Sequence, residues 1–421
     1  VELTDKYQKV DYGKLIYLER VKQRLTQNEL SHGICSVPYL SKLENQRISD
    51  PNPETVSLLL EKLTVDYRSQ VSRVQEVLED MEHWYSCITS KNDSQMESYY
   101  QKLKSLPLHY YPDLTIWFQL IAIRYFIRKH DTLQAEMSLQ KLSAKENKLD
   151  RYQTFYYLYF SGLIDCLKQH YKDGLLNLHE AEEFAKEQGI HDSELLYHLA
   201  LTYSHISHSS LAIYYSQIAK RYFDQTMNIH RGVDCQVILG INFLRINRYD
   251  SAEKVFKDIL RISQSINDTQ LVGKTYHNLG FLYAEKGELE AALRYYYKAL
   301  EIKKEYSKGY YSTVLRVIHA HQQRGETGQA MAWVDEVLEN DDHEPDTTIQ
   351  FKLKKLELAG EGDDYYQYIN DIALPYFLKV NDKKSINRYC QKAALYYEEN
   401  FHYKKANGFY KLILNQGGEI S

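Results

Sequence analysis

Sixteen histidines and five cysteines are the side chains from which a metal centre or a nucleophile would be drawn. The cysteines, Cys35, Cys87, Cys166, Cys235 and Cys390, lie far apart with no C-x-x-C pair, so they form neither a zinc pattern nor a disulfide framework. Unpaired thiols suit a reducing cytoplasm. His205-Ile-Ser-His208 and His319-Ala-His321 each offer two ring nitrogens at close spacing, but no third ligand stands beside either pair. A phosphate-cradling glycine loop, an H-E-x-x-H helix and a G-x-S-x-G elbow are all absent from the sequence. The expectation is a protein without metal, cofactor or enzymatic centre.

Binding chemistry is better represented, first near the start of the chain. From Lys6 to Arg47 there are eight Lys or Arg against four Asp or Glu, a local positive excess on a chain whose net charge is −5. Phosphate contacts need such a bias. Short capped helices must carry these groups. One runs over Tyr12 to Lys22. Thr26 caps the next, with Glu29 three residues on to close a capping box, and Gly33 ends it. Ser36 caps a third helix, Val37 to Glu44, which tolerates Pro38 in its first turn. Asn52-Pro53-Glu54 opens a fourth, with Val56, Leu59, Leu60 and Leu63 apolar.

Two capped helices joined by a glycine turn are the sequence form of a helix-turn-helix. Leu25 to Glu44 resembles the phage-repressor (Xre-type) family in Thr26, Gln27, Leu30, Ser36, Leu40, Ser41 and Glu44. Its turn, Gly33-Ile34-Cys35-Ser36, is about one residue shorter than that family's norm. The second helix of such a motif enters the major groove and presents its N-terminal residues to base edges. That nominates Ser36, Val37, Pro38, Tyr39 and Lys42 for bases, with apolar contact to thymine methyls prominent. Arg20, Arg24, Gln27, Asn45 and Arg47 are better placed for phosphates.

The remaining chain repeats itself. The clearest unit has Tyr276, Leu279-Gly280, Tyr283, Gly287, Ala292, Tyr296 and Ala299, and it resembles the tetratricopeptide repeat. Small residues at Gly280 and Ala292 allow two helices to cross closely. Other copies carry Leu239-Gly240 with Ala252, Leu199-Ala200 with Ala212, Gly162 with Gly174, Phe126 with Ala135, Val317 with Ala330, and Ala393-Ala394 with Ala406. The segment near Gly362 is degenerate, and Trp84 to Leu103 reads as an entry repeat. Turns near 130, 169, 207, 247, 287 and 325 are spaced by 38 to 40 residues, so each helix pair is longer than the usual repeat of about 34. No proline falls between Asp113 and Glu344, as a run of hairpins requires, and 39 Tyr against 13 Phe supply much of the packing.

The expected fold is therefore all-α: a helix-turn-helix domain over residues 1–66, then a right-handed superhelix of eight or nine hairpins over 67–421. First helices line the concave face, which puts Arg124, Arg128, Tyr159, His205, Arg245, Lys274, His277, Asn278, Arg316 and Gln322 inward as peptide-binding candidates. An Asn can hold a peptide backbone with both its carbonyl and its amide, and Arg124 with Arg128, one turn apart, offers a carboxylate clamp.

Together the two halves resemble the RRNPP family of Gram-positive quorum-sensing regulators, in its NprR and PlcR branch by the segment Gly33-Ile-Cys-Ser to Tyr39-Leu-Ser-Lys42. The resemblance implies a cytoplasmic transcription factor that binds operator DNA. It further implies a homodimer or higher oligomer, switched by a short imported signalling peptide in the repeat groove. Some relatives bind a phosphorelay response-regulator protein instead, which is one alternative; a chaperone-type adaptor for C-terminal carboxylates is another. No apolar run approaches a membrane span, and the start, Val-Glu-Leu-Thr-Asp-Lys, does not read as a secretory leader.

Overall fold

The computed structural model describes residues 3, 12–45, 47–48, 50–65, 67–106, 108, 112–143, 149–303, 307–339 and 344–415. Every regular element among them is helical. They fall into two compact units, Val1–Asn242 and Phe243–Ser421.

The first unit opens with α1 (Tyr12–Lys22), α2 (Gln27–Ser31), α3 (Val37–Glu44) and α4 (Pro53–Lys62). Their boundaries are written by caps. Thr26 Oγ1 accepts the Glu29 N–H at 3.2 Å while Glu29 Oε2 accepts the Thr26 N–H at 2.7 Å. Ser36 Oγ accepts the Tyr39 N–H, and Asn52 Oδ1 accepts the N–H groups of Glu54 and Thr55. Such a cap contributes about 1 kcal/mol to a helix too short to persist alone. Leu30, Leu40, Leu43, Val56, Leu59 and Leu60 form the core between these helices.

Helical hairpins follow in the same unit: α5 (Tyr67–Thr89) with α6 (Asp93–Lys104), α7 (Pro112–Arg128) with α8 (Thr132–Ser143), α9 (Arg151–Leu167) with α10 (Tyr171–Gln188), and α11 (Ser193–His205) with α12 (Ser209–Gln225). The division between the units falls inside α13 (Ile229–Arg245). The second unit continues with α14 (Tyr249–Ser265), α15 (Thr269–Glu285), α16 (Leu289–Ile302), α17 (Lys308–Gln323), α18 (Thr327–Leu338) and α19 (Pro345–Ala359). Then come α20 (Asp363–Tyr368), a π-helical turn over Ile369–Ala373, α21 (Leu374–Lys379), α22 (Lys383–Glu399) and α23 (Tyr403–Asn415). The interruption lies where the repeat pattern degenerates near Gly362, and Pro375, which has no N–H to donate, opens the segment after it.

All six expected turn positions adopt the left-handed backbone conformation: His130 at φ 57°, Gln169 at 63°, Ser207 at 62°, Asn247 at 59°, Gly287 at 79° and Gly325 at 75°. That conformation closes the end of a first helix and reverses the chain within a few residues. The small residues also stand where the helices cross. A Cβ at Gly280 would lie 2.5 Å from Tyr296 Cδ1, and one at Gly174 would lie 2.6 Å from Cys166 Sγ. Ala212, Ala252, Ala292, Ala330 and Ala393 are fully buried. Tyrosines fill the gaps and find partners for their hydroxyls, as Tyr203 does at His179 Nε2 (2.6 Å) and Tyr283 at Glu253 (2.9 Å).

Candidate functional site

The first turn of α3 stands in solvent. Ser36, Val37, Pro38 and Lys42 are exposed, as are Arg24 and Arg47. Tyr39 is half-buried, and its hydroxyl accepts the N–H of Asn52 at 3.2 Å, which ties the exposed turn to the start of α4. Asn45 donates its amide to the Ser41 carbonyl at 2.7 Å.

Two residues expected at phosphates have another occupation. Arg20 is buried, and its guanidinium grips Glu44 in a fork, Nε to Oε1 at 2.6 Å and Nη2 to Oε2 at 2.8 Å, while Nη1 donates to the Leu25 carbonyl at 2.7 Å. Gln27 donates to Glu44 Oε2 at 2.7 Å. The hydrogen bonds that Arg20 donates to Glu44 raise the Arg20 pKa, which holds the guanidinium in its charged form. This network joins the end of α1, the start of α2 and the end of α3. It braces α3 from behind and engages the Arg20 guanidinium inside the domain.

The first unit also holds a cavity of about 590 Å³, lined by Tyr85, Trp117, Tyr156, Asp192, Glu194 and Leu3 among others. Leu3 is buried, and its N–H donates to Glu82. The Tyr85 hydroxyl is buried beside the cavity and makes no hydrogen bond. Behind it lies a buried ion network. Arg231 binds Glu194 through Nε at 2.5 Å and Nη2 at 2.6 Å, and reaches Asp234 at 3.0 Å. Lys91 binds Asp234 from the other side at 2.9 Å.

Three expected groove residues have partners within the protein. Arg124 is buried, with Nη2 3.9 Å from Glu194 and 3.4 Å from His198 Nε2. Arg128 pairs with Asp93 at 3.1 Å. The two arginines therefore do not act jointly on one carboxylate; Arg124 faces an internal one. Tyr159 is fully buried, its hydroxyl 2.6 Å from His198 Nδ1, so its ring is core. His198 is held neutral: burial, then Arg124 and Arg231, push its pKa well below the usual histidine value. His205 is exposed and stacks on Tyr171 with ring centroids 5.0 Å apart.

In the second unit Arg245 and Lys274 are exposed, while His277 and Asn278 are half-buried on α15. His277 Nδ1 lies 3.0 Å from Thr313 Oγ1. Burial, then Lys303 and Arg316, pull its pKa down to about 3. Arg316 is exposed and lies 4.4 Å over the Phe281 ring. Gln322 accepts from Lys354 at 2.8 Å.

The buried partners Glu194, His198 and Arg231 were not among the residues singled out from the sequence. A signal for them exists: Glu194 and Arg231 are 37 positions apart, Tyr159 and His198 are 39, Ser204 and Asn242 are 38, and His277 and Thr313 are 36. Each separation is about one repeat, so polar residues at equivalent positions of successive first helices are natural partners.

Comparison with known proteins agrees with this architecture. Residues 16–69 match a helix-turn-helix family, and residues 235–305 match the tetratricopeptide repeat family. The transcriptional activator NprA of Geobacillus stearothermophilus is 29% identical over 401 residues, spanning 91% of this chain and 97% of the relative. The helix-turn-helix, the repeats and the likeness to NprA support an RRNPP-type regulator. Among solved structures, the chain shares its fold with the apo form of the quorum sensor NprR from B. thuringiensis, with TM-score 0.65 and 24% identity over 82% of this chain and 99% of that one. NprR in complex with its cognate peptide NprX gives TM-score 0.59 at 24% identity, over 81% of this chain and 97% of that one. Among the described residues no helix is long and apolar enough to cross a membrane, and no group of three or more His, Cys, Asp or Glu is placed to hold a metal.

Proposed function

We propose that the chain is a regulator of the RRNPP type that works in the cytoplasm as a homodimer, reads operator DNA with α3 and is switched by a short imported peptide held by the repeats. Residues 1–66 are the DNA-binding part and residues 67–421 the sensing part. Ser36, Val37, Pro38 and Lys42 meet base edges, with Tyr39 beside them, and Arg24 and Arg47 meet phosphates. The observation that carries this reading is the exposed first turn of α3, braced from behind by the buried Arg20–Glu44–Gln27 network. A brace of that kind is worth building where one surface of a helix must be presented in a fixed orientation. Similarity to a transcriptional activator along nearly the whole chain supports it, and the NprR fold relative has a solved complex with a peptide.

Operator spacing supplies the switch in this reading. A helix-turn-helix dimer needs its half-sites about one DNA turn apart, so a peptide that alters the packing of the repeats alters which operator spacing is bound. The test is selection of duplexes from a random pool by the full chain, followed by binding titrations with and without synthetic peptides. Failure to enrich any sequence would remove the DNA-reading role and leave a repeat protein that binds another protein, such as a response regulator.

A further inference from the structure

Three cations meet between α15, α16 and α17 in the second unit. Lys303, at the C-terminal cap of α16, donates to Thr313 Oγ1 at 2.6 Å and to the Gly309 carbonyl at 2.8 Å. Thr313 gives its own proton to Gly309 at 2.9 Å, so its oxygen accepts from both Lys303 and His277. The Lys303 stem is seated against Gly273, where a Cβ would lie 3.4 Å from Lys303 Cγ. Lys303 has two neutral oxygens for partners and one N–H left over. Lys274 stands close enough to lower the Lys303 pKa further, after burial, to about 8. Arg316, 4.4 Å over the Phe281 ring, acts on the same His277 as Lys303 does. Among the described residues no carboxylate pairs with Lys274, Lys303 or Arg316, whereas Lys257, Lys286 and Lys354 in the same unit each have one. A half-buried ammonium flanked by two more cations is a local charge imbalance that a bound anion would relieve.

We propose that Lys303, Lys274 and Arg316 form a carboxylate-binding subsite, and that the carboxylate belongs to the signalling peptide, either its chain terminus or an Asp or Glu side chain. Arg316 supplies a planar pair of donors, Lys303 a fixed one and Lys274 a mobile one. Asn278, one position beyond His277 on α15, is in reach of the adjoining peptide bond as a donor and acceptor. This subsite rests on the peptide-sensing reading given above.

The experiment uses the full chain. A library of synthetic heptapeptides with free C termini is selected for binding, and the tightest binder is remade as a C-terminal amide, with every Asp and Glu changed to Asn and Gln, and with both changes. Loss of about tenfold or more in affinity is expected when the engaged carboxylate is removed. A loss with the amide assigns the chain terminus; a loss with the Asn and Gln version assigns a side chain. Lys303→Met, and independently the surface changes Arg316→Gln and Lys274→Ala, should weaken the carboxylate form and leave the carboxylate-free form nearly unchanged. The two surface variants keep the test decisive if Lys303→Met does not fold. Equal binding of all four peptide forms overturns the subsite while peptide sensing stands. A library from which no binder emerges overturns peptide sensing itself, and the subsite with it.

Discussion

Glu194 and Arg231 are 37 positions apart, one repeat along the chain, and meet in a buried fork at 2.5 and 2.6 Å. Both are less than a tenth exposed. A pair so placed is costly to break, because removing either partner leaves the other buried without its fork, Arg231 with Asp234 alone and Glu194 with only Arg124 at 3.9 Å. Arg231→Ala and Glu194→Gln are each expected to destabilise the first unit by about 3–5 kcal/mol. The double replacement Glu194→Leu with Arg231→Leu should cost less than either single change. Thermal and urea unfolding of the four proteins checks this; single changes that leave the midpoint unmoved would mean the pair is not buried in solution.

Arg20 and Lys42 separate bracing from reading. Lys42→Ala, at an exposed position of α3, should weaken DNA binding with an unchanged melting temperature. If its contact is to a phosphate, the slope of log affinity against log salt falls by about 1. Arg20→Ala should instead lower the melting temperature and weaken all duplexes, because Glu44 and Gln27 lose their partner. A normal melting temperature in Arg20→Ala would return that residue to the list of direct contacts.

His277 makes stability depend on pH. Its folded pKa lies near 3, below the ordinary value of 6.5, because burial and the cations Lys303 and Arg316 disfavour the imidazolium. Between those values the unfolded chain binds a proton that the folded chain does not, so stability is full above about pH 6.5 and falls as pH drops toward 3. His198 and His319, whose pKa values are also lowered, add slopes of the same sign. One such histidine contributes up to about 1.4 kcal/mol per pH unit. Unfolding measured from pH 7 to pH 5 should show a shallower loss for His277→Gln than for the parent; parallel curves would refute the assignment.

Gln169 offers a simple gain. It is exposed and sits at φ 63°, a conformation that is unfavourable for a residue with a Cβ. Gly287 and Gly325 occupy the equivalent turns of later hairpins. Gln169→Gly should stabilise the α9–α10 hairpin by about 0.5–1 kcal/mol, read as a higher melting temperature. A fall would show that the side chain holds a contact worth more than the strain.

The repeat period is the thread between sequence and structure. Local chemistry fixes the helix ends: Thr26 with Glu29, Ser36, Asn52 and Pro53 mark boundaries that depend only on near neighbours, so they are legible from the chain alone. The turns at 130, 169, 207, 247, 287 and 325 and the small residues at Gly174 and Gly280 are legible for the same reason, since the hairpin recurs and each copy confirms the others.

What tertiary structure alone decided is which polar side chains are spent on the protein itself. Arg20, Arg124 and Tyr159 have the types and positions of binding residues, but Glu44, Glu194 and His198 lie 24, 70 and 39 positions away and turn them inward. A helical register gives the direction of a side chain to within a face. Whether that face meets solvent or a buried carboxylate depends on the neighbouring hairpin and on the depth at which the helices pack. The sequence determined the helices, their order and their period; the packing of one hairpin on the next decided which of its charges remain available to DNA or to a ligand.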